Sequence, residues 1–305
     1  MRLPPFNPYI IITIASIAIS TTAVFVKLAG EAPAGIIAFY RLLFAVLIML
    51  PIVLIGYRHE LRMISKKDWG LSVISGVFLA LHFILWFESL SYTSVASSTV
   101  LVTMQSVFAF LGTYILFQER FSYAAIISMI ITVFGGIIIT WGDFQLSEMA
   151  LFGDILALLG ALAITVYFLV GQRTRKRVSL MTYTFIVYSI GAITLFLYNS
   201  VVQHSFTGYS ADYWWVFLAL AIIPTFLGRT LLNWAQRWLA SSTISLATLF
   251  EPVGATILAY YFLRESVTWS QFLGGAIVLF GLYLFIISTN QKKKVTISKK
   301  SKEPR

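Results

Sequence analysis

The sequence has no cysteine and few charged residues. The absence of Cys among its 305 residues excludes disulfide bonds and thiolate metal sites. Only 11% of the residues are charged, whereas soluble domains contain about 25%. The three histidines, at 59, 82 and 204, lie too far apart for metal-ligand spacing. A Gly-rich phosphate loop of the P-loop type is also missing, which argues against ATP as an energy source. We therefore expect neither a metal nor a cofactor.

Apolar residues make up most of the chain. Hydrophobic residues account for 59% of it, and the mean hydropathy is +0.86. These values predict an all-α integral membrane protein. A helix needs about 20 apolar residues to cross the bilayer core. Ten segments meet this condition: 9–28, 34–56, 69–90, 95–117, 122–141, 152–171, 180–202, 214–236, 242–263 and 269–288.

The basic residues predict the orientation of these spans. If the N-terminus is cytoplasmic, 18 of the 22 Lys and Arg residues fall in cytoplasmic segments and only Lys27 and Arg264 in external ones, while Arg41 and Arg229 lie within spans. This asymmetry follows the positive-inside rule. Both termini are then cytoplasmic, which agrees with an even number of spans. The net charge of +10 is concentrated in the tail 291–305, which we expect to touch anionic lipid headgroups rather than nucleic acid.

The chain contains two related halves. A shift of 146 residues aligns 107–135 with 253–281 and makes seven positions identical, including Tyr114 with Tyr260 and Glu119 with Glu265. Each half holds five spans, and an odd number makes the halves enter the membrane in opposite directions. This pattern predicts two inverted five-helix repeats, a design typical of secondary transporters. The expected units are 1–145, 146–290 and a basic cytoplasmic tail, 291–305.

Three segments carry a family resemblance. They are "YTSVASSTVLVTMQSVFAFLGTYILFQERFS", "RTLLNWAQRWLASSTISLATLFEPVGATILAYYFLRES" and "FYRLLFAVLIMLP". They resemble the EamA family of the drug/metabolite transporter superfamily over 8–290. The resemblance implies ten helices, an inverted repeat, cytoplasmic termini and transport of small metabolites, often export of amino acids or related compounds. The family often has proline where this chain has Ser106, while Pro252 is kept in the second half.

A carboxylate and a proline interrupt the ninth predicted span. Glu251 lies about ten residues from either end, and a carboxylate in hydrocarbon is costly. Pro252 removes a helix hydrogen bond and predicts a kink. Broken helices are tolerated where they line a cavity. Glu251 is therefore predicted either to bind substrate or a coupling proton, or to form a structural ion pair with Arg229.

Other polar residues inside predicted spans complete the candidate site. Arg229 lies roughly midway along the eighth span and needs a carboxylate partner, and Asn233 shares its helix face. His82 and Trp86 share a face of the third span; they can line a cavity or belong to ordinary packing. The remaining candidates are Gln105, which aligns with Glu251, and Arg41, a gate or an anchor. Asp154 opens the sixth span, where the helix N-terminus favours negative charge.

The sequence is compatible with several functions. The favoured one is a secondary transporter in the cytoplasmic membrane that exports amino acids or related small polar compounds by alternating access, not an enzyme. An integral membrane enzyme would need clustered His, Asp or Glu at one interface. A nucleotide-sugar or phosphorylated-metabolite exchanger would need several cavity cations. A non-transporting membrane protein would not need its polar residues for solute flux. The oligomeric state, monomer or homodimer, stays undetermined.

Overall fold

The computed structural model describes residues 6–30, 32–118, 122–175, 177–235, 239 and 247–300. Within these ranges, the side chains at 113, 116, 117, 233 and 289–300 lie outside the description. The described chain is helical and contains no strand. Nine of its segments are long and apolar enough to cross a membrane. The predicted ninth span, 242–263, lies partly outside the described residues, and its described helix has only 14 residues.

Thirteen α-helices and one π-helical segment follow each other along the described chain. They are α1 (Pro8–Leu28), α2 (Ala34–Gly56), α3 (Arg58–Met63), α4 (Lys66–Tyr92), α5 (Val95–Val102), α6 (Gln105–Phe117), α7 (Tyr123–Leu146), α8 (Glu148–Thr174), α9 (Leu180–Val201), α10 (Ala211–Leu220), the π segment (Ala221–Gly228), α11 (Arg229–Ala235), α12 (Phe250–Leu263) and α13 (Trp269–Lys300).

Serine residues cap the N-termini of five helices. The hydroxyls of Ser65, Ser94, Ser122, Ser147 and Ser179 each accept a hydrogen bond from a backbone N–H in the first turn that follows. Such N-caps satisfy donors that have no partner inside the helix. They begin α4 and α8 a few residues before the predicted apolar spans, so both helices reach 27 residues.

We name the two ends of the bundle by their loops. The basic end carries the loops after α2 and α8. These loops and the helix ends that flank them contain most of the described Lys and Arg residues outside the tail. The opposite end carries the loops after α1, α4, α7, α9 and α12. Helices pack in pairs: α2 on α9, α7 on α13, α4 on α8, and α1 on the π segment and α11. In the predicted repeat, α1 corresponds to α8, α2 to α9, α4 to the eighth span and α7 to α13. Exchanging the halves then converts the α4–α8 pair into the contact of α1 with the eighth span, and it leaves the other two pairs unchanged. An inverted repeat requires packing of this kind.

The fourth predicted span is two helices, not one. The segment 95–117 is interrupted at Thr103 and Met104, where the backbone N–H groups bond three residues back, to Val100 and Leu101. The Thr103 hydroxyl also binds the Val100 carbonyl, and such local bonds compete with the regular ladder. Helix α6 starts after this break.

Helices α6 and α12, one in each half, end in the same way. Helix α6 ends at Gln118 and α12 at Arg264, both with a left-handed backbone (φ 51° and 58°). These residues are 146 positions apart, the shift that relates the two halves in sequence. The local geometry of the two segments is therefore repeated.

The eighth span contains the π segment. Pro224 lacks an N–H and cannot make the regular bond, and the Thr225 hydroxyl donates to the carbonyl of Leu220, five residues back (2.8 Å). A proline in a helix frees a carbonyl, and widened turns of this kind are frequent at functional sites. The π segment presents Thr225 towards α2, where Arg41 contacts it.

Helices α7 and α13 cross at glycines. A Cβ added at Gly135 would lie 2.7 Å from both the Gly274 carbonyl oxygen and the Val278 nitrogen. These are backbone atoms, so they cannot turn aside as a flexible side chain would. The glycine therefore permits the close approach of the two helices.

Gly135→Ala is expected to lower the thermal unfolding midpoint of the purified protein. Overpacking a helix contact costs typically about 1–3 kcal/mol, although alanine is otherwise the better helix former by about 0.5–1 kcal/mol. Gly70→Ala is the matched control, because a Cβ at Gly70 meets nothing within 4 Å. It should leave the midpoint unchanged or raise it. An equal response of the two variants would contradict the predicted crossing.

Candidate functional site: a cavity around Arg229

A cavity of about 480 Å³ lies between α2, α9, the π segment and α11. Its volume falls in the range of small-molecule sites. It reaches the basic end, where Tyr57 and Ser179 line it. The lining residues are Ala45, Met49, Tyr57, Ser179, Leu180, Met181, Thr184, Tyr188, Thr225, Phe226, Arg229, Thr230 and Trp234.

Arg229 supplies the charge of this cavity. It is the first residue of α11, about 9 Å of helix from Ala235 at the basic end. Its side chain is exposed to the cavity. Among the described lining residues it is the one ionised side chain, and no acidic side chain lines the cavity with it. A guanidinium held this way offers paired donors to a carboxylate.

Hydroxyl and apolar groups surround the guanidinium. Thr184 and Tyr188 lie four residues apart on one face of α9, and Thr225 and Thr230 approach from the π segment and α11. The apolar part of the lining includes Met181 and side chains of the same character on α2, the π segment and α11. The cavity thus has one cationic point, several hydroxyls and an apolar wall.

Arg41 stands behind the cavity lining. Its Nε donates to the Thr225 hydroxyl (2.8 Å), and its guanidinium carbon lies 4.6 Å from the centre of the Phe83 ring. The side chain is only 3% exposed, and Nη1 has no hydrogen-bond partner. Arg41 thus contacts Thr225, a lining residue, and does not itself line the cavity.

Glu251 lies near both arginines. It interacts electrostatically with Arg229 and Arg41, and its side chain is partly exposed. The salt bridges between described residues are Lys27–Glu265 and Arg177–Asp68. Glu251 is therefore in the neighbourhood of the guanidinium groups without being ion-paired to either, and it does not line the cavity.

His82 and Trp86 belong to the contact between α4 and α8. The His82 Nδ1 donates to the Gly160 carbonyl (2.9 Å), and the His82 and Trp86 rings stack at 5.4 Å. Both side chains are buried, away from the cavity lining. Gly160 lies against the Trp86 backbone, so this part of the predicted site is a helix-packing surface.

The other predicted residues lie at helix breaks or outside the description. Gln105 begins α6, and its carbonyl accepts from the Thr165 hydroxyl (3.1 Å). Pro252 lies in the first turn of α12, where a missing N–H costs nothing. Residues 240–246, which precede this helix, lie outside the described residues, so the kink at Pro252 stays a prediction. The Asn233 side chain lies outside the described residues.

An aromatic cluster closes the cavity region towards the opposite end. The Tyr40 ring stacks on Phe217 at 5.2 Å and meets Trp214 edge-on. Its hydroxyl donates to the Phe206 carbonyl (2.6 Å). Because Tyr40 and Phe217 are buried, the path from the cavity between α2 and α10 is filled by side chains.

A salt bridge joins the two halves at the opposite end. The Lys27 Nζ lies 2.5 Å from Glu265 Oε1 and also donates to the Thr93 carbonyl. The second carboxylate oxygen of Glu265 accepts the Val95 N–H (2.9 Å). The bridge therefore connects the end of α1 and the start of α5 to the loop after α12.

A second contact joins the halves at the basic end, beside the cavity. Glu60 of α3 accepts hydrogen bonds from the N–H and hydroxyl of Ser179 (2.6 Å each) and from the Thr182 hydroxyl. Partial burial acts to raise the pKa of the Glu60 carboxyl, but these hydrogen bonds outweigh it and the pKa is lowered. Glu60 therefore stays ionised at neutral pH and caps α9.

Several lining residues are absent from the sequence prediction. Thr184, Tyr188, Thr225 and Thr230 have ordinary polar side chains that occur often in membrane helices. One usable signal is Pro224, because the argument applied to Pro252 would have predicted an irregular helix next to Thr225. The long-range packing of α2 on α9 leaves no such signal in a single sequence.

Comparisons with known proteins agree with this architecture. The model of the EamA-like transporter family matches residues 7–141 and again 151–287. An uncharacterized transporter of Archaeoglobus fulgidus is 23% identical over 90% of this chain and 94% of its own length. An uncharacterized transporter of Synechocystis is 23% identical over 77% and 70% of the two chains.

One solved crystal structure shows the same fold. It superposes with a TM-score of 0.65 over 93% of this chain and 98% of its own, at 16% sequence identity. The predicted resemblance is confirmed by the two family matches, which together cover most of the sequence. The chain belongs to the EamA-like transporter family, within the drug/metabolite transporter superfamily.

Proposed function

We propose that the protein is a secondary transporter of the cytoplasmic membrane that exports amino acids or related small carboxylates by alternating access. The observation that carries the proposal is the exposed guanidinium of Arg229 in a cavity of otherwise hydroxyl and apolar side chains. A carboxylate is the group that this donor set fits best.

The two ends of the bundle support alternating access. The cavity reaches the basic end, which the positive-inside rule places in the cytoplasm. The opposite end holds the Tyr40 cluster and the Lys27–Glu265 bridge. The structure then corresponds to an inward-facing state that receives substrate from the cytoplasm. The repeated geometry of α6 and α12 supports the ten-helix inverted repeat on which such a mechanism depends.

Phosphorylated substrates fit this cavity less well. A nucleoside diphosphate sugar carries two phosphate charges, and pairing both of them takes more than one cation. The described lining offers Arg229 alone, while Arg41 is buried behind Thr225. A small carboxylate needs one such partner.

Three matched ligands test the proposal. Leucine, isocaproate and isoamylamine share a branched apolar chain and carry both charged groups, the carboxylate alone or the amine alone. Ligand binding to the folded state raises the unfolding midpoint, so leucine and isocaproate should raise it and isoamylamine should not. In proteoliposomes, the ligands that bind should exchange across the membrane.

Two results would overturn this function. Stabilisation by isoamylamine but not by isocaproate would make a carboxylate such as Glu251 the recognised contact. Binding without any flux, with the protein correctly inserted, would favour a non-transporting membrane protein.

A further inference from the structure

Two aspartates lie buried together at the opposite end, apart from the cavity. Asp143 is in α7, about 5 Å of helix from its end, and Asp154 is in α8, about 9 Å from its start. They are 1% and 0% exposed. The prediction that Asp154 merely opens a helix is therefore incomplete, because α7 continues to Leu146 and brings Asp143 beside it.

The hydrogen bonds of this pair do not balance if both aspartates are ionised. The Thr93 hydroxyl lies 3.0 Å from Asp154 Oδ1 and 3.3 Å from Asp143 Oδ2. A hydroxyl has one hydrogen, so it can donate to only one of them. Ser97 and Gln271 satisfy Asp143.

One carboxylate oxygen is left over. Asp154 Oδ2 is buried and has no hydrogen-bond partner of normal geometry. The Thr140 hydroxyl and the Asp143 carboxyl nevertheless lie within hydrogen-bonding reach of Asp154, and two carboxyl groups this close do not both ionise readily. An unpaired carboxylate oxygen in a buried site is costly. A proton on one carboxyl group removes the deficit, because the resulting O–H donates to the other aspartate or to Thr93.

The charged groups around the pair do not neutralise it. Lys27 reaches the carbonyl of Thr93 but is paired with Glu265. Glu148 at the start of α8 is exposed, and Tyr92 of α4 packs against Phe152. With both aspartates ionised, the described groups would leave two uncompensated negative charges in the bundle, which is unfavourable.

We propose that Asp143 and Asp154 share one proton and form a proton-binding site at the opposite end of the protein. The site is joined by Thr93 to the Lys27–Glu265 bridge, because Thr93 contacts the aspartates through its hydroxyl and Lys27 through its carbonyl. Loss of the proton would therefore act on the residue that also contacts the bridge between the halves. This proposal does not depend on the nature of the transported solute.

The test is infrared spectroscopy of the full chain with ¹³C in the aspartate side-chain carboxyl. The sequence contains four aspartates, at 68, 143, 154 and 212, so few groups contribute. A protonated acid has a C=O stretching band that a carboxylate lacks. We expect such a band at neutral pH, moved by the ¹³C label and by deuteration.

The matched variants assign the band. Asp154→Asn should abolish it, because the amide supplies the missing donor and leaves Asp143 ionised. Asp212→Asn, at an exposed position, and Glu251→Gln should leave it unchanged. If Asp154→Asn does not fold, Thr93→Val serves instead and should shift the frequency of the band.

Three results would overturn the proposal. They are an absent aspartate band at neutral pH, a band that persists in Asp154→Asn, and a band that Thr93→Val does not move. In the first case, a rise in the unfolding midpoint with sodium but not choline chloride, lost in Asp154→Asn, would make the ligand a metal cation.

Discussion

Arg229→Met is expected to lower the affinity of the cavity for leucine and isocaproate by roughly 30-fold to several thousand-fold. Truncating one partner of a hydrogen-bonded charge pair costs about 2–5 kcal/mol, and each step of about 1.4 kcal/mol is tenfold in affinity. The described cavity lining offers no second cation to replace it. Methionine keeps the length and apolar stem of the side chain, so the cavity retains its shape. Titration calorimetry in detergent measures the change.

Two variants control the Arg229 result. Arg62→Met removes an exposed arginine at the basic end and should leave affinity unchanged, which excludes a general effect of charge. Arg229→Lys keeps the charge but loses the bidentate geometry, so its affinity should lie between those of the wild type and Arg229→Met. Unchanged binding by Arg229→Met would show that the carboxylate is held elsewhere.

Glu265→Gln is expected to open the opposite end of the protein more often. The Lys27–Glu265 bridge joins the two halves, and both side chains are 23% exposed. A hydrogen bond between charged groups contributes about 1.5–3 kcal/mol when sheltered, and partial solvent screening lowers this. A loss of about 1.4 kcal/mol would raise the population of the open state about tenfold.

The absence of cysteine makes this measurement direct. Ile37→Cys places one thiol in a buried position of the small cavity that Lys27 also lines. Its reaction with a maleimide should become about tenfold faster when Glu265→Gln is added. A thiol introduced by Ser205→Cys, at an exposed position, should react at one rate in both backgrounds. An unchanged rate for the thiol at position 37 would mean that the bridge does not hold the end closed.

Exchanging the charges should restore closure only in part. In Lys27→Glu with Glu265→Lys the ion pair can form again. The Val95 N–H would nevertheless lose its acceptor, and a glutamate at 27 could not donate to the Thr93 carbonyl. The labelling rate of the double variant should lie between those of the wild type and Glu265→Gln.

The sequence predicts the spans well because each membrane helix must satisfy the hydrogen bonds of its own backbone. Runs of about 20 apolar residues locate α1, α2, α9 and most other spans, whose ends then depend on serine caps. The break at Thr103 is harder to predict, since threonine is common inside membrane helices. Pro252 is visible in the sequence, but its place in the first turn of α12 depends on where the helix begins.

The site is predicted in part, because polarity in an apolar run identifies a residue but not its partners. Arg229 lines the cavity, while Arg41 lies one layer behind it and His82 packs against α8. Asp143 lies beyond the predicted end of the fifth span, so its contact with Asp154 could not be foreseen. Which polar residues meet is decided by packing between distant helices.

The π segment has a consequence for how the eighth span tolerates changes in length. A π-helical turn contains about one residue more than an α-helical turn. Deleting one residue from Ala221–Gly228 would therefore let the segment relax to an α-helix. Arg229 would then keep its direction towards α2 and α9. Inserting one residue would instead rotate all that follows by about 100° and turn Arg229 away, although no lining residue had been replaced. The eighth span should therefore tolerate the loss of one residue better than the gain of one.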